Sequence, residues 1–277
     1  NEATSAIKNA REAIMSLHKK ILKEKHLRNL PGWRDTAPTL FAVSTWVGYD
    51  LDGRSDISWL DSFRLRLSEK KTSLDLYVEK LSPFINSHSR VGQLIDELSA
   101  ERSATKTDLV RFSKIEDHGF VDTANFLSER RDKLIASKVF AEQLQKVAAD
   151  TLNPEEAIEL MAIAGDIASN GFGLGELHLR INAVQLANAM GIVDGKGNFV
   201  SLADGRSRTL IERLAERICA ETGSSINFEN LQHESATARR QLMLATQILK
   251  HIDSDQPIRL LIAECEHPVT IMSALYL

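Results

Sequence analysis

The sequence has 277 residues, 43% of them hydrophobic and 26% charged, which is the balance of an ordinary globular chain with material for one large core or two small ones. Its 34 basic and 38 acidic side chains leave a formal charge of −4, so no net field draws in nucleic acid or anionic lipid. No apolar run is long enough to span a bilayer, and no signal-peptide pattern opens the chain. Cys219 and Cys265 lie far apart without a partner spacing, which argues against a disulfide framework or a zinc knuckle and predicts free, buried thiols in a reducing cytoplasm.

Ile7, Ala10, Ile14, Leu17 and Ile21 alternate spacings of three and four, predicting a long amphipathic helix with Lys8, Arg11, Lys19 and Lys23 elsewhere on its surface. Pro31-Gly32 ends that pattern. The β-branched and aromatic run over 40–47, bounded by Pro38 and by Asp52-Gly53, reads as a buried strand. Helical patterns follow over 57–82, 89–113, 119–150 and 154–169. Asn153-Pro154-Glu155-Glu156 starts the last of these, with Asn as cap, Pro at the first position and acids in the first turn.

Gly171, Gly173 and Gly175 follow a helix and precede a strand, the reverse of a dinucleotide fingerprint, so they read as a helix-to-strand turn. In the next segment Leu177, Leu179 and Ile181 alternate with His178, Arg180 and Asn182, a period of two that predicts a strand with one polar face. Asp194-Gly-Lys-Gly-Asn198 reads as a turn, 203–222 and 229–253 as helices, and 258–263 as a third strand leading into a last helix. Three short strands separated by long helical excursions predict a mostly helical α/β protein, part of a barrel. The chain begins at Asn1-Glu2 without Met and stops inside the apolar stretch Ile271–Leu277, which predicts a stretch of a longer protein.

His178, Arg180 and Asn182 are the most suggestive constellation, because three polar side chains on one strand face need either water or a polar interior. Asp50-Leu-Asp52-Gly53 does not fit a calcium loop: with Gly53 sixth, Gly48 stands first and Trp59 twelfth, and neither ligates by side chain. It remains an acidic turn at a strand end. Cys265 and His267 are close in sequence, but nothing orients them for nucleophilic chemistry.

Three segments together resemble the phosphoenolpyruvate carboxylase family. Ser44-Thr-Trp46-Val-Gly48-Tyr-Asp50-Leu-Asp52-Gly53-Arg54 is similar to the family's Ser-Trp-Met-Gly-Gly-Asp-Arg-Asp-Gly-Asn-Pro. Phe172-Gly173-Leu174 and the strand after it are similar to a family Phe-Gly-Leu and a strand bearing Arg-x-Asp-x-Arg. Leu261-Ile-Ala-Glu-Cys-Glu-His-Pro268, running into Ile271-Met272, is similar to the family's strand and helix around Ile-Ser-Met. Order and rough spacing agree over about 40–277, and the first segment is the distinctive one.

The resemblance implies a barrel with long helical insertions, 1–277 being one incomplete domain: 1–38 an N-terminal helical segment, 39–277 a partial barrel with helical excursions. It implies carboxylation of phosphoenolpyruvate with bicarbonate to oxaloacetate and phosphate, Mg2+ held by carboxylates outside this chain, and a homo-oligomer. Arg180 and His178 are then the candidate catalytic residues, and Asp50, Asp52, Arg54 and Asn182 the candidate substrate-binding ones. The departures are specific. Leu51 replaces a family Arg, Arg54-Ser55 replaces Asn-Pro, and His178, Arg180 and Asn182 stand where the family has Arg, Asp and Arg. The family's Thr-Ala-His-Pro-Thr segment, metal carboxylates and Gly-rich arginine loop have no counterpart here, so the 277 residues alone are expected to be inactive. The alternatives are a non-catalytic relative that keeps the helical scaffold for assembly or regulation, and an unrelated helical binding protein.

Overall fold

The computed structural model describes residues 2–35, 38–50, 57–115, 119–129, 135–191, 208–220, 223 and 225–277. In chain order the described elements are α1 (Glu2–Leu22), α2 (Lys25–Arg28), β1 (Ser44–Thr45), α3 (Trp59–Leu81), α4 (Ser89–Ser113), α5 (Phe120–Glu129), α6 (Ser137–Asp150) and α7 (Pro154–Asn170). Then follow β2 (Glu176–Asn182), α8 (Ala183–Met190), α9 (Arg208–Ala220), α10 (Phe228–His233), α11 (Thr237–His251), β3 (Ile258–Ala263) and α12 (Pro268–Tyr276). The chain divides into two compact units. The first comprises Asn1–Thr45, Phe63–Leu177 and Ile248–Pro257, and the second Trp46–Ser62, His178–Gln247 and Ile258–Leu277.

The first unit is built around α7. Every residue from Leu160 to Ile167 is buried, and a helix buried on all sides is the middle of a helical core rather than its skin. Its start follows the local chemistry: the Asn153 side chain accepts from the Glu155 amide at 3.0 Å, and Pro154 supplies the first turn. Its end is Gly171 at φ 65°, whose amide returns to the Ile167 carbonyl at 2.8 Å. Around α7 pack Leu74 and Tyr77 of α3, Leu94 of α4 and Phe140 and Leu144 of α6. Each such apolar side chain contributes about 1.5–3 kcal/mol by leaving water. Phe172 closes the cluster, edge-on to Phe140 at 5.5 Å and to Tyr77 at 6.2 Å between ring centroids.

The second unit has a smaller core of Ile181, Leu186, Ala189 and Ala238, with Leu260, Ile262 and Ala274 packed against it. Trp59 meets Phe228 there at 6.2 Å. Asn182 ends β2 and starts α8 as a capping box. Its side chain accepts from the Gln185 amide at 2.8 Å, and the Asn182 amide donates to Gln185 Oε1 at 3.1 Å.

The barrel expected from the sequence is not formed. The strands make one small, open parallel sheet in the order β1-β2-β3, within a mostly helical structure. A barrel needs each strand paired on both edges, and among the described residues β1 and β3 neighbour only β2. Strands alternating with helices read the same in an open sheet and in a barrel. The long excursion between β1 and β2 also does not behave as a single crossover, because its helices build the core of the first unit.

Two local expectations change as well. Of the run 40–47 only Ser44–Thr45 is strand, and Leu40, Phe41, Trp46 and Val47 are each about half exposed. The backbone just before it is held differently: the Val43 amide donates to Asn170 Oδ1, and its carbonyl accepts from the Glu176 amide. On α1 the buried residues are Arg11, Met15, His18 and Leu22, while Leu17 is 42% exposed. The inward face is thus displaced by one residue, about 100° around the helix, from the apolar stripe in the sequence. What turns it is polar: Arg11 finds its partners inside the first unit.

Candidate functional site

Asp50 and Arg180 bring together two segments 130 residues apart in the second unit. The chain turns at 46–49, where the Tyr49 amide donates to the Trp46 carbonyl at 3.0 Å and Gly48 takes a φ of 84°. A positive φ of that size favours glycine, which has no Cβ to clash. Two side chains pin the turn from outside it. Ser62 Oγ donates to the Gly48 carbonyl at 2.7 Å, and Gln241 Nε2 to the Tyr49 carbonyl at 2.8 Å. Tyr49 itself is fully buried. Asp50 then forms a parallel bridge with Arg180, and Arg180 Nη1 donates to Asp50 Oδ2 at 3.2 Å.

On β2 the alternation is as the sequence implies. Leu177, Leu179 and Ile181 are buried, and His178, Arg180 and Asn182 are half-buried on the other face. The three polar residues nevertheless do different things. Asn182 spends its side-chain oxygen on the α8 cap. Arg180 gives one of its five donors to Asp50 and keeps 43% of its side chain exposed. An ion pair this exposed contributes little stability, about 0–1 kcal/mol, so holding the strand together is a weak explanation for it. Asp52 and Arg54 lie outside the described residues, as does the turn expected over 194–198.

No known protein family matches the chain. Nor does any curated protein.

Residues that sequence reasoning misplaced sit in the first unit, around the Gly171–Gly175 turn. Arg11 is completely buried, and its Nη1 donates to the carbonyls of Gly173 and Leu174 at 3.3 and 3.1 Å and to Ser73 Oγ at 2.9 Å. Arg66, 1% exposed, donates to the Gly175 carbonyl at 3.0 Å. The Tyr77 hydroxyl oxygen lies 3.1 Å from the Gly171 carbonyl oxygen, its one proton going to Asp166. The turn therefore presents carbonyls to two guanidinium groups, the opposite polarity to a phosphate loop. Gly173 has no room for a side chain, since a Cβ there would lie 2.0 Å from an Arg66 nitrogen.

Each buried cation has its counter-ion. Asp166 answers Arg11 at 2.6 Å, Asp253 answers Arg66 at 2.6 Å, and Glu101 answers Lys70 at 2.7 Å. Burial alone would lower the Arg11 pKa; its contacts with Tyr77 and Asp166 outweigh that and raise it, so the group stays charged. Burial pushes the Tyr77 hydroxyl well above its ordinary range, which keeps it a donor. The signal for these residues was weak in sequence. Arg11 shares helical spacing with Met15, His18 and Leu22, but a cation on an apolar flank reads first as solvent-facing.

Cys219 and Cys265 are free, and both are exposed rather than buried as expected. Among the described residues no group of three or more His, Cys, Asp and Glu converges as a metal site, and no helix is long and apolar enough to cross a membrane.

Proposed function

We propose that this chain is part of a phosphoenolpyruvate carboxylase-type protein, in which bicarbonate attacks the phosphate of phosphoenolpyruvate and the resulting enolate captures carbon dioxide to give oxaloacetate. The observation that carries this is the meeting of Asp50 with Arg180. The distinctive resembling segment and the strand of the second resembling segment come together at one place. The proposal rests on that junction and on no barrel.

The departures fit one another at the same place. Leu51 stands where the family has Arg, and Arg180 where it has Asp, so a cation has moved from the turn to the strand and Asp50 receives it there. A half-exposed guanidinium with donors beyond the one given to Asp50 suits an anionic oxygen of a phosphate or carboxylate. His178 shares that strand face two residues earlier, with its Nε2 buried. The Mg2+ implied by the resemblance would stabilise the enolate. The described residues offer no converging ligand set for it.

A second reading is favoured by the same geometry. Asn182 is committed to its cap and Arg180 to Asp50, and neither position that carries a family arginine has one here. A relative that keeps the scaffold for assembly or regulation would look like this. The experiment that separates the two is oxaloacetate formation from phosphoenolpyruvate, bicarbonate and magnesium, using protein tagged at its own chromosomal locus. Turnover that falls about 10²-fold in Arg180→Ala supports the carboxylase reading and the role given to Arg180. Absence of turnover leaves the scaffold reading.

A further inference from the structure

His18 lies on the inward face of α1, fully buried, and neither of its ring nitrogens has a hydrogen-bond partner. Its neighbour of consequence is Asp166 on α7, the helix against which α1 packs. Asp166 has nothing left to offer. Its Oδ1 accepts from Arg11 Nε at 3.4 Å and Asn170 Nδ2 at 2.9 Å, and its Oδ2 from Arg11 Nη2 at 2.6 Å and the Tyr77 hydroxyl at 3.0 Å. Four donors fill the four lone-pair directions of a carboxylate. Of the charged groups on the packed elements, Lys19 on α1 pairs with Glu159 on α7, and Lys80 on α3 with Glu12 on α1 at 3.8 Å. Arg11 offsets part of the Asp166 charge, and neither ring nitrogen of His18 has an acceptor in reach.

We propose that His18 is a pH-sensitive latch, holding α1 on α7 while its ring is neutral and loosening the helix when the ring takes up a proton. A neutral imidazole there costs one or two unmade hydrogen bonds, and an imidazolium would add an uncompensated buried charge. Desolvation by burial is the larger influence on the ring and lowers its pKa; the Asp166 charge opposes this and loses. The sign follows. A group whose native pKa lies below its free value of about 6.5 contributes its full share to docking above that value. The share is lost as pH falls from there towards the lower native pKa, by up to about tenfold in the undocking equilibrium per pH unit. Arg11 rides on the same helix, so loosening α1 also withdraws the donors that hold the Gly173 and Leu174 carbonyls.

The test is amide hydrogen exchange of the 277-residue chain between pH 7.5 and 5, corrected for intrinsic rates, comparing peptides from 11–22 with peptides from 157–167. The expected result is protection in 11–22 that falls several-fold below pH 6.5 while 157–167 holds, with that pH dependence absent in His18→Leu. Should His18→Leu fail to fold, the wild-type imidazole followed by NMR decides: a titration midpoint below 6.5 accompanying the loss of protection is expected. A midpoint at or above 6.5, or a pH response unchanged in His18→Leu, overturns the proposal.

Discussion

Arg11 and Asp166 place opposite full charges inside the first unit, where each is 0% exposed. The pair is held by geometry, since Asp166 receives Arg11 twice together with Tyr77 and Asn170, and Arg11 also reaches Ser73 and the turn carbonyls. Removing one partner strands the other charge in low dielectric. Arg11→Met or Asp166→Leu should therefore each cost about 3–5 kcal/mol of unfolding free energy, read from denaturant midpoints. Arg11→Met combined with Asp166→Leu should cost distinctly less than the two singles added, because the stranded charge is gone. Simple additivity would show that the pair is not coupled as drawn. None of this was legible beforehand, because a sequence shows Arg11 four residues from Met15 but not the carboxylate waiting 155 residues away.

At the scale of elements, what sequence reveals is what is decided locally. The start of α7 was legible because Asn153, Pro154 and two glutamates are all the chemistry a helix start needs. The period-two face of β2 was legible for the same reason. The helix α8 was overlooked although Asn182 and Gln185 spell its capping box, because the polar strand face drew Asn182 into a binding role. Asn182→Ala should cost about 0.5–2 kcal/mol, and Asn182→Asp, which keeps the acceptor, should recover most of it. A loss of similar size in both variants would mean that Asn182 does something besides capping. Close helix packing makes a second prediction. A Cβ at Gly165 of α7 would lie 2.1 Å from the Pro38 carbonyl oxygen, a backbone atom that cannot swing aside. Gly165→Ala should thus destabilise by about 1–3 kcal/mol despite the better helix propensity of Ala, and a thermal midpoint at or above wild type would contradict that close approach.

At the scale of the molecule, three strands separated by helices were legible, the first of them only at Ser44–Thr45, and their open arrangement was not. Closure depends on what pairs with the outer edges of β1 and β3, which no pattern within a strand encodes. The functional account accordingly rests on the Asp50–Arg180 junction and on the resemblance of the segments that meet there. It also limits what the 277 residues can do by themselves. Carboxylation must stabilise an enolate and a transferring phosphoryl group, and removing one preorganised donor already costs about 10²–10³ in rate. Here the family's catalytic His segment, its metal carboxylates and its arginine loop are all missing from the sequence. The most direct measurement is a coupled oxaloacetate assay run side by side on this 277-residue chain and on the protein isolated from its own cells. The account predicts turnover from the protein as the cell makes it and none from the 277 residues alone. Absence of turnover in both would contradict the carboxylase reading, and turnover by the 277-residue chain that disappears in Arg180→Ala would show that these residues hold a complete site of another kind.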